Sequence, residues 1–231
     1  MMRTPSAFLS FVQLLDSALP IGGFSHSFGL ETYVQQGKVA TVAQLEQYMA
    51  GQIHSSLVRM DGLAIKGVYG AIPEQNWETV ARLDAIIHVQ RAPRESREGM
   101  HKMGRRLIKL GKSLYPEAKL PQLEELLERY RGYGTYPIVF AWIARHLDME
   151  LDAAVHGYLY TSVQTMVNSA LRLMSIGQTE GQLLIRRMQQ TAEQEWTAAS
   201  ALPPDQLHSF SAAHDIGAMQ HETLYSRLFM S

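Results

Sequence analysis

The residues that most resemble an active site lie in one short stretch, LPIGGFSHSFGLE, at residues 19–31. Within it, Gly23, Ser25 and His26 approach the G-x-S-x-G turn on which serine hydrolases carry their nucleophile. That turn needs a second glycine, where Ser27 stands, and a preceding β-strand, where the pattern is helical. A serine hydrolase with Ser25 as its nucleophile is therefore only a distant alternative.

Two further motifs, which would bind a nucleotide or a metal, are incomplete. GKS at residues 111–113 matches the end of a phosphate-binding P-loop, but Arg106 occupies the position of its first glycine. HETLY begins at His221 like the zinc motif H-E-x-x-H, but Tyr225 stands at the second ligand position. The chain has no cysteine, which excludes thiolate ligands and cysteine nucleophiles. We expect no catalytic residue, no metal site and no intrinsic cofactor.

The composition describes a chain with a large apolar core and little net charge. Its 231 residues are 46% hydrophobic, and 21 Lys and Arg against 22 Asp and Glu give a formal net charge of -1. Nucleic-acid-binding proteins normally carry a basic excess, so we expect no nucleic-acid partner. No segment approaches the roughly 20 apolar residues of a membrane span, and the first 20 residues are amphipathic rather than a signal peptide. We expect a cytoplasmic protein with no membrane partner.

The elements that must position these residues have a helical periodicity. Apolar residues recur every three or four positions, most regularly over residues 148–177, which predicts a central helix ended by Gly177. Thr41 is a predicted helix cap, and the last predicted helix ends in ETLYSRLFMS at residues 222–231. No alternating strand pattern appears. We predict one all-α domain over residues 1–231, a single-domain helical bundle of roughly eight to ten helices.

The glycine-rich stretch is predicted to connect two of these helices. The first helix is predicted to start at Thr4-Pro5 and to end before Pro20. Gly22, Gly23 and Gly29 permit backbone conformations that are closed to other residues. The stretch is then either a purely structural turn or a binding surface.

Polar residues on two helices leave the same two interpretations open. Gln164, Asn168 and Arg172 are spaced by four and lie on one line of the central helix. The basic sequences RESRE, at residues 94–98, and GRRLIKLGK, at residues 104–112, also fall on helices. Each set is either a solvated helix face or a surface that recognises a partner, which for the basic sequences would be acidic.

At its N-terminus the chain resembles a known family. LLDSALPIGGFSHSFGLE closely resembles the N-terminal signature of the UreF family of urease accessory proteins. The resemblance continues, in order, through RMDG at residues 59–62, Glu95 and Arg97 in RESR, IGQTEGQ at residues 176–182 and HETLYSRLFMS at residues 221–231. The matches span nearly the whole chain. Ser175 and Met230 depart from the family pattern, in which a proline and a basic residue are common.

The resemblance implies an all-α protein that dimerises and has no chemistry of its own. Proteins of this family bind the UreD-type protein, also known as UreH, and recruit the UreG-type GTPase to apo-urease. GTP hydrolysis is coupled there to nickel delivery, so nickel belongs to the pathway rather than to this chain as a cofactor. The alternative is a protein that regulates the UreG-type GTPase by supplying an arginine, with Arg94, Arg97 or Arg172 as candidates.

We expect the partner-binding residues in the glycine-rich stretch, the central helix and the last residues of the sequence. Aromatic residues and arginine are enriched at interface hot spots. A terminal segment rich in exposed aromatics is expected to become ordered when a partner docks, and the resemblance makes that partner the UreD-type protein. The predicted partner-binding residues are Phe24, His26, Glu31, Arg172, Gln178, Tyr225, Arg227 and Phe229.

Overall fold

Residues 6–231, which this computed structural model describes, form α-helices and short helical turns and contain no β-strand. The α-helices are α1 (Ala7–Leu14), α2 (Leu30–Gln35), α3 (Val42–Gln52), α4 (Leu63–Ala71), α5 (Trp77–Gln90), α6 (Arg94–Leu114), α7 (Leu120–Tyr130), α8 (Tyr136–His146), α9 (Leu151–Leu173), α10 (Gln178–Ala199) and α11 (Ala212–Gln220). A π-helical segment, Ile53–Gly62, joins α3 to α4 in one continuous rod, which leaves ten separate rods among the described residues. The predicted all-α fold is confirmed.

Several helices begin where local sequence places a cap. Thr41 caps α3, and its side chain and that of Gln44 each accept a hydrogen bond from the other residue's backbone N–H. Asn76 caps α5 by accepting from the amide of Thr79. The predicted start of the first helix at Thr4-Pro5 lies outside the described residues, within which Ser6 caps α1.

The core is centred on α8 and α9. Every residue of α8 from Tyr136 to Ala144 is buried, and α8 lies against α4, α6 and α9. Trp142 is fully buried, and its indole N–H donates to the Ala118 carbonyl at 2.7 Å. Nearly all the buried apolar side chains of the described residues form one hydrophobic cluster, into which α9 projects a long apolar face.

Three predicted helix ends are wrong, each for a local physical reason. The helix α1 stops at Leu14 rather than at Pro20, because the Asp16 side chain accepts from the Ala18 amide and closes a turn. The helix α9 ends at Leu173, and Gly177 is instead the N-cap of α10. The last α-helix ends at Gln220 and is followed by a short helical turn, His221–Thr223, beyond which the amides of residues 228–230 donate to Glu31 and Ser25.

Candidate functional site

The glycine-rich loop, residues 20–29, joins α1 to α2 and is shaped by two glycines. Gly22 and Gly29 have φ values of +93° and +96°, in the left-handed region that favours glycine, as the sequence predicts. The prediction is wrong for Gly23, which begins a short helical turn, Gly23–Ser25, and lies outside that region. A Cβ on Gly22 would also collide with the guanidinium of Arg106, which lies over the loop. Between the two glycines, the Ser25 hydroxyl donates to the Gly22 carbonyl at 2.7 Å.

The tail, residues 224–231, folds back onto this loop. The amides of Ser27 and Phe28 donate to the Ser231 carbonyl at 2.7 and 3.1 Å, and the Ser27 hydroxyl donates to the same oxygen at 2.7 Å. The Met230 amide donates to the Ser25 carbonyl at 2.8 Å. Polar backbone groups of the loop and the tail therefore satisfy one another.

Glu31, the second residue of α2, anchors the tail through its carboxylate. Its side chain is buried, one oxygen accepts from the Leu228 amide at 2.7 Å, and the other accepts from the Phe229 amide at 3.1 Å. The second oxygen also lies 3.0 Å from Nε2 of His221, whose Nδ1 lies 2.7 Å from a carboxylate oxygen of Glu95 on α6. The fully buried imidazole thus bridges two acidic side chains from different helices.

Two more contacts tie the tail to the helices. The guanidinium of Arg227 donates to the other Glu95 oxygen at 2.7 Å. Arg172 on α9 lies over the Phe229 ring, 4.4 Å from its centroid, and donates to the Phe24 carbonyl at 3.1 Å. The tail is therefore ordered within the single chain, whereas the sequence predicted that a partner would order it.

His26 is the loop residue with the most perturbed protonation. Its Nδ1 is hydrogen-bonded to the Ser231 hydroxyl at 2.8 Å, and its ring stacks on Phe28. Burial, together with the nearby cations Lys102 and Arg106, lowers the pKa of His26 to about 4. The ring is neutral at pH 7, which suits a buried hydrogen-bonding role.

Comparison with known proteins identifies the family. The UreF family model matches residues 39–189. The chain belongs to the UreF family. Proteins named urease accessory protein UreF from Lachnoclostridium phytofermentans and Bacillus sp. (strain TB-90) are each 36% identical to it over 223 residues, or 96% of this chain and 98% of the relative. The protein of that name from Haemophilus influenzae (strain ATCC 51907 / DSM 11121 / KW20 / Rd) is 33% identical over 224 residues, covering 96% and 94%.

Seven of the eight residues predicted to bind partners in this UreF-family chain lie in or against the loop and the tail. Three of them are buried: His26, Glu31 and Phe229. Four are exposed: Phe24, Arg172, Tyr225 and Arg227. The eighth, Gln178, is exposed at the start of α10, and no hydrogen bond joins it to the loop or the tail as far as residues 6–231 show.

Sequence reasoning missed three residues that complete the site. Glu95 and His221 were noted only within motifs, and Ser231 was not singled out. The sequence carries little sign of these contacts, because Glu31 and His221 are 190 positions apart and no helical or strand period connects them. The contacts among Glu31, Glu95 and His221 form only once α2, α6 and the segment after α11 have been brought together.

The site in this UreF-family chain holds no recognisable catalytic set. The Ser25 hydroxyl donates to a backbone carbonyl, and no histidine or carboxylate within residues 6–231 is hydrogen-bonded to it. Over the same range, no three or more His, Asp or Glu side chains are arranged to hold a metal ion. None of the helices described is long and apolar enough to cross a membrane. The hydrogen bonds of the site instead fix the backbone of the loop and the tail and leave exposed side chains of both available for contact with a partner.

Proposed function

We propose that this chain is the non-enzymatic adaptor that bridges the UreD-type protein (UreH) on apo-urease to the UreG-type GTPase, supporting GTP-dependent nickel insertion. In this role it works in the cytoplasm as a homodimer without an intrinsic cofactor. Membership of the UreF family supports a role in urease maturation. The observation that carries the adaptor role is the surface built jointly by the loop and the tail.

That surface combines exposed apolar side chains with cations. Phe24 on the loop is 68% exposed, and Leu228 and Met230 on the tail are 51% and 57% exposed. Arg172 and Arg227 lie beside them. Aromatic residues and arginine contribute most to interface hot spots, and clustered exposed apolar side chains mark interaction sites. The backbone beneath is already held in place, so docking a partner costs less ordering entropy.

A second function, regulation of the GTPase, is favoured by one arginine. Arg94 is paired with Glu222 at 2.8 Å, and Arg97 donates to the carbonyls of Arg91 and Ala92. Arg172 also has partners, the Phe24 carbonyl and the Phe229 ring, but it is exposed within the proposed contact surface of the loop and the tail, so of the three candidates it is best placed to reach a bound GTPase. Faster single-turnover GTP hydrolysis that is lost in Arg172→Ala would support this role, and unchanged or slower hydrolysis would exclude it.

The adaptor proposal is tested by co-purification with the cognate UreD-type protein. We compare the full chain, a chain truncated after Thr223, and the variants Phe24→Ser and Tyr225→Ser. Phe210→Ser is the matched control, because Phe210 is 82% exposed but lies outside the loop and the tail. Light scattering on the recovered complex gives its stoichiometry.

We expect the full chain and the control to bind, and the truncated chain to stay folded but unbound. Weaker binding by Phe24→Ser or Tyr225→Ser assigns the contact to the loop–tail surface. If the folded full chain does not bind the UreD-type protein, the adaptor function is wrong.

A further inference from the structure

Two histidines face each other on the side of the bundle formed by α5, α6 and the α7–α8 connection. Nδ1 of His88, near the end of α5, lies 3.1 Å from Nε2 of His101 in α6. The Tyr133 ring lies flat against His88, with centroids 3.5 Å apart and an angle of 4° between the planes. It also covers His101, at 5.3 Å and 18°. The two imidazoles therefore share one aromatic cover.

The carboxylate of Asp84 holds this cover in place. Asp84 lies one helical turn before His88 and is fully buried. Its two oxygens accept from the amides of Tyr133, Gly134 and Thr135 at 2.5, 3.0 and 2.8 Å. Because three backbone hydrogen bonds fix the segment that carries the tyrosine, the positions of both imidazoles are restricted before any ligand binds.

The spacing of the two nitrogens suits a shared metal ion. Imidazole nitrogens bind transition metals at about 2.0–2.1 Å, so two on one ion at octahedral or tetrahedral angles are about 2.9–3.4 Å apart. The observed 3.1 Å lies in this range. Without metal, the same spacing accommodates one N–H···N hydrogen bond. A metal requires only that this proton move to the outer nitrogen of its own ring, with no net proton release.

Both rings are neutral at pH 7, the form that binds metal. The pKa of His101 is lowered to about 4, chiefly by burial and also by His88, Arg105 and Arg97, against the opposing effect of Asp84. Burial also lowers the pKa of His88, again with Arg97. Protons therefore do not compete for the inner nitrogens near neutrality. The same arginines weaken the attraction for a cation, so binding must come from the nitrogen ligands.

We propose that His88 and His101 form a two-histidine site for a divalent transition-metal ion such as Ni²⁺ or Zn²⁺, whose remaining positions are filled by water. Imidazole ligands select such ions over Mg²⁺ and Ca²⁺, which prefer oxygen. With only two ligands from the protein, the ion is held weakly and exchanges readily. This site goes beyond the adaptor function, and it departs from the expectation that the chain carries no metal site.

Calorimetric titration of the full chain, without a histidine tag, tests the site with NiCl₂ and separately with ZnCl₂ at pH 7.5. We expect one ion per chain, and His88→Ala and His101→Ala should each weaken binding at least about tenfold. His54→Ala is the matched control, since His54 is also a surface histidine and lies 2.8 Å from Glu195. The control should bind as the unaltered chain does.

Three calorimetric results would overturn the site: no binding up to about 1 mM metal, undiminished binding by His101→Ala, or binding lost in His54→Ala. A second measurement does not depend on the variants being folded. Paramagnetic Ni²⁺ added to the unaltered chain should broaden the NMR signals of the His88 and His101 rings before those of the other histidines. If another histidine broadens first, the metal binds elsewhere.

Discussion

The core around α8 and the loop–tail surface are held together by different forces. In α8, every residue from Tyr136 to Ala144 is buried, and the contacts are mostly apolar. The loop and the tail are joined by backbone hydrogen bonds and by the Glu31–His221–Glu95 chain, while the apolar side chains of Phe24, Leu228 and Met230 remain exposed.

This contrast separates stability from recognition within one chain. Apolar burial stabilises the bundle in proportion to the area removed from water. The tail depends on a few polar contacts, with the Glu31 and Glu95 carboxylates and with the loop, so it can be released while the bundle remains folded. The first two predictions test that separation by breaking each region in turn.

The largest effect is expected from a cavity in the core. Trp142→Ala removes a fully buried indole and the hydrogen bond to Ala118, and should lower the free energy of unfolding by about 3–5 kcal/mol. Urea unfolding followed by circular dichroism measures this. Phe210→Ala, at an exposed aromatic, is the control and should change stability by less than about 0.5 kcal/mol. Equal losses in the two variants would contradict the assignment of stability to the core.

A smaller and more local effect is expected from Glu31→Gln. Both carboxylate oxygens accept hydrogen bonds, so an amide places an N–H₂ group against a backbone N–H, at a cost of about 1.5–3 kcal/mol. Hydrogen exchange at the Leu228 and Phe229 amides should accelerate at least tenfold while exchange in α8 is unchanged.

The matched control for this prediction is Glu222→Gln. The Glu222 carboxylate pairs with Arg94 and has no hydrogen bond to the tail. Exchange at the tail amides should therefore stay at the level of the unaltered chain. If Glu31→Gln leaves those amides protected, Glu31 is not the anchor.

The pH dependence of the free energy of unfolding should reveal the lowered pKa of His26. Its pKa falls from the ordinary 6.5 to about 4 on folding, so between these values the unfolded chain binds the proton and the folded chain does not. This contribution to stability is complete above pH 6.5 and is lost as the pH falls. At pH 5.5 the free energy of unfolding is lower by about 1.4 kcal/mol because of His26.

His26→Asn keeps a hydrogen-bonding group toward Ser231 but does not titrate. Between pH 7.5 and 5.5, the variant should lose about 1.4 kcal/mol less stability than the unaltered chain. Denaturant unfolding at the two pH values measures the difference. Parallel losses in both proteins would mean that His26 is not kept neutral by folding.

The smallest effect on stability is expected at the exposed side chains of the loop–tail surface. Phe24→Ser and Tyr225→Ser should each change the free energy of unfolding by less than about 0.5 kcal/mol, because neither side chain is buried. Thermal unfolding checks this. A larger loss would show that these side chains stabilise the fold, and their proposed role in partner binding would then need separate support.

Several features of the fold follow from local sequence. The helix cap at Thr41 and the left-handed glycines at positions 22 and 29 were predicted, since each depends on residues only a few positions apart. The π-helical segment Ile53–Gly62 was not predicted, because its composition resembles that of the α-helices on either side. The last helix was extended too far, since tail residues with an apolar periodicity dock instead of continuing α11.

The sequence by itself was thus enough for the all-α fold, the helix start at Thr41 and the glycine-rich turn, because those depend on short-range sterics, caps and periodicity. The folded chain alone decided that the tail returns to the loop and that Glu31 meets His221. It also brought His88 on α5 to His101 on α6. Such contacts are selected by the packing of whole helices, whose energy is shared among many apolar side chains, and so they leave no local pattern.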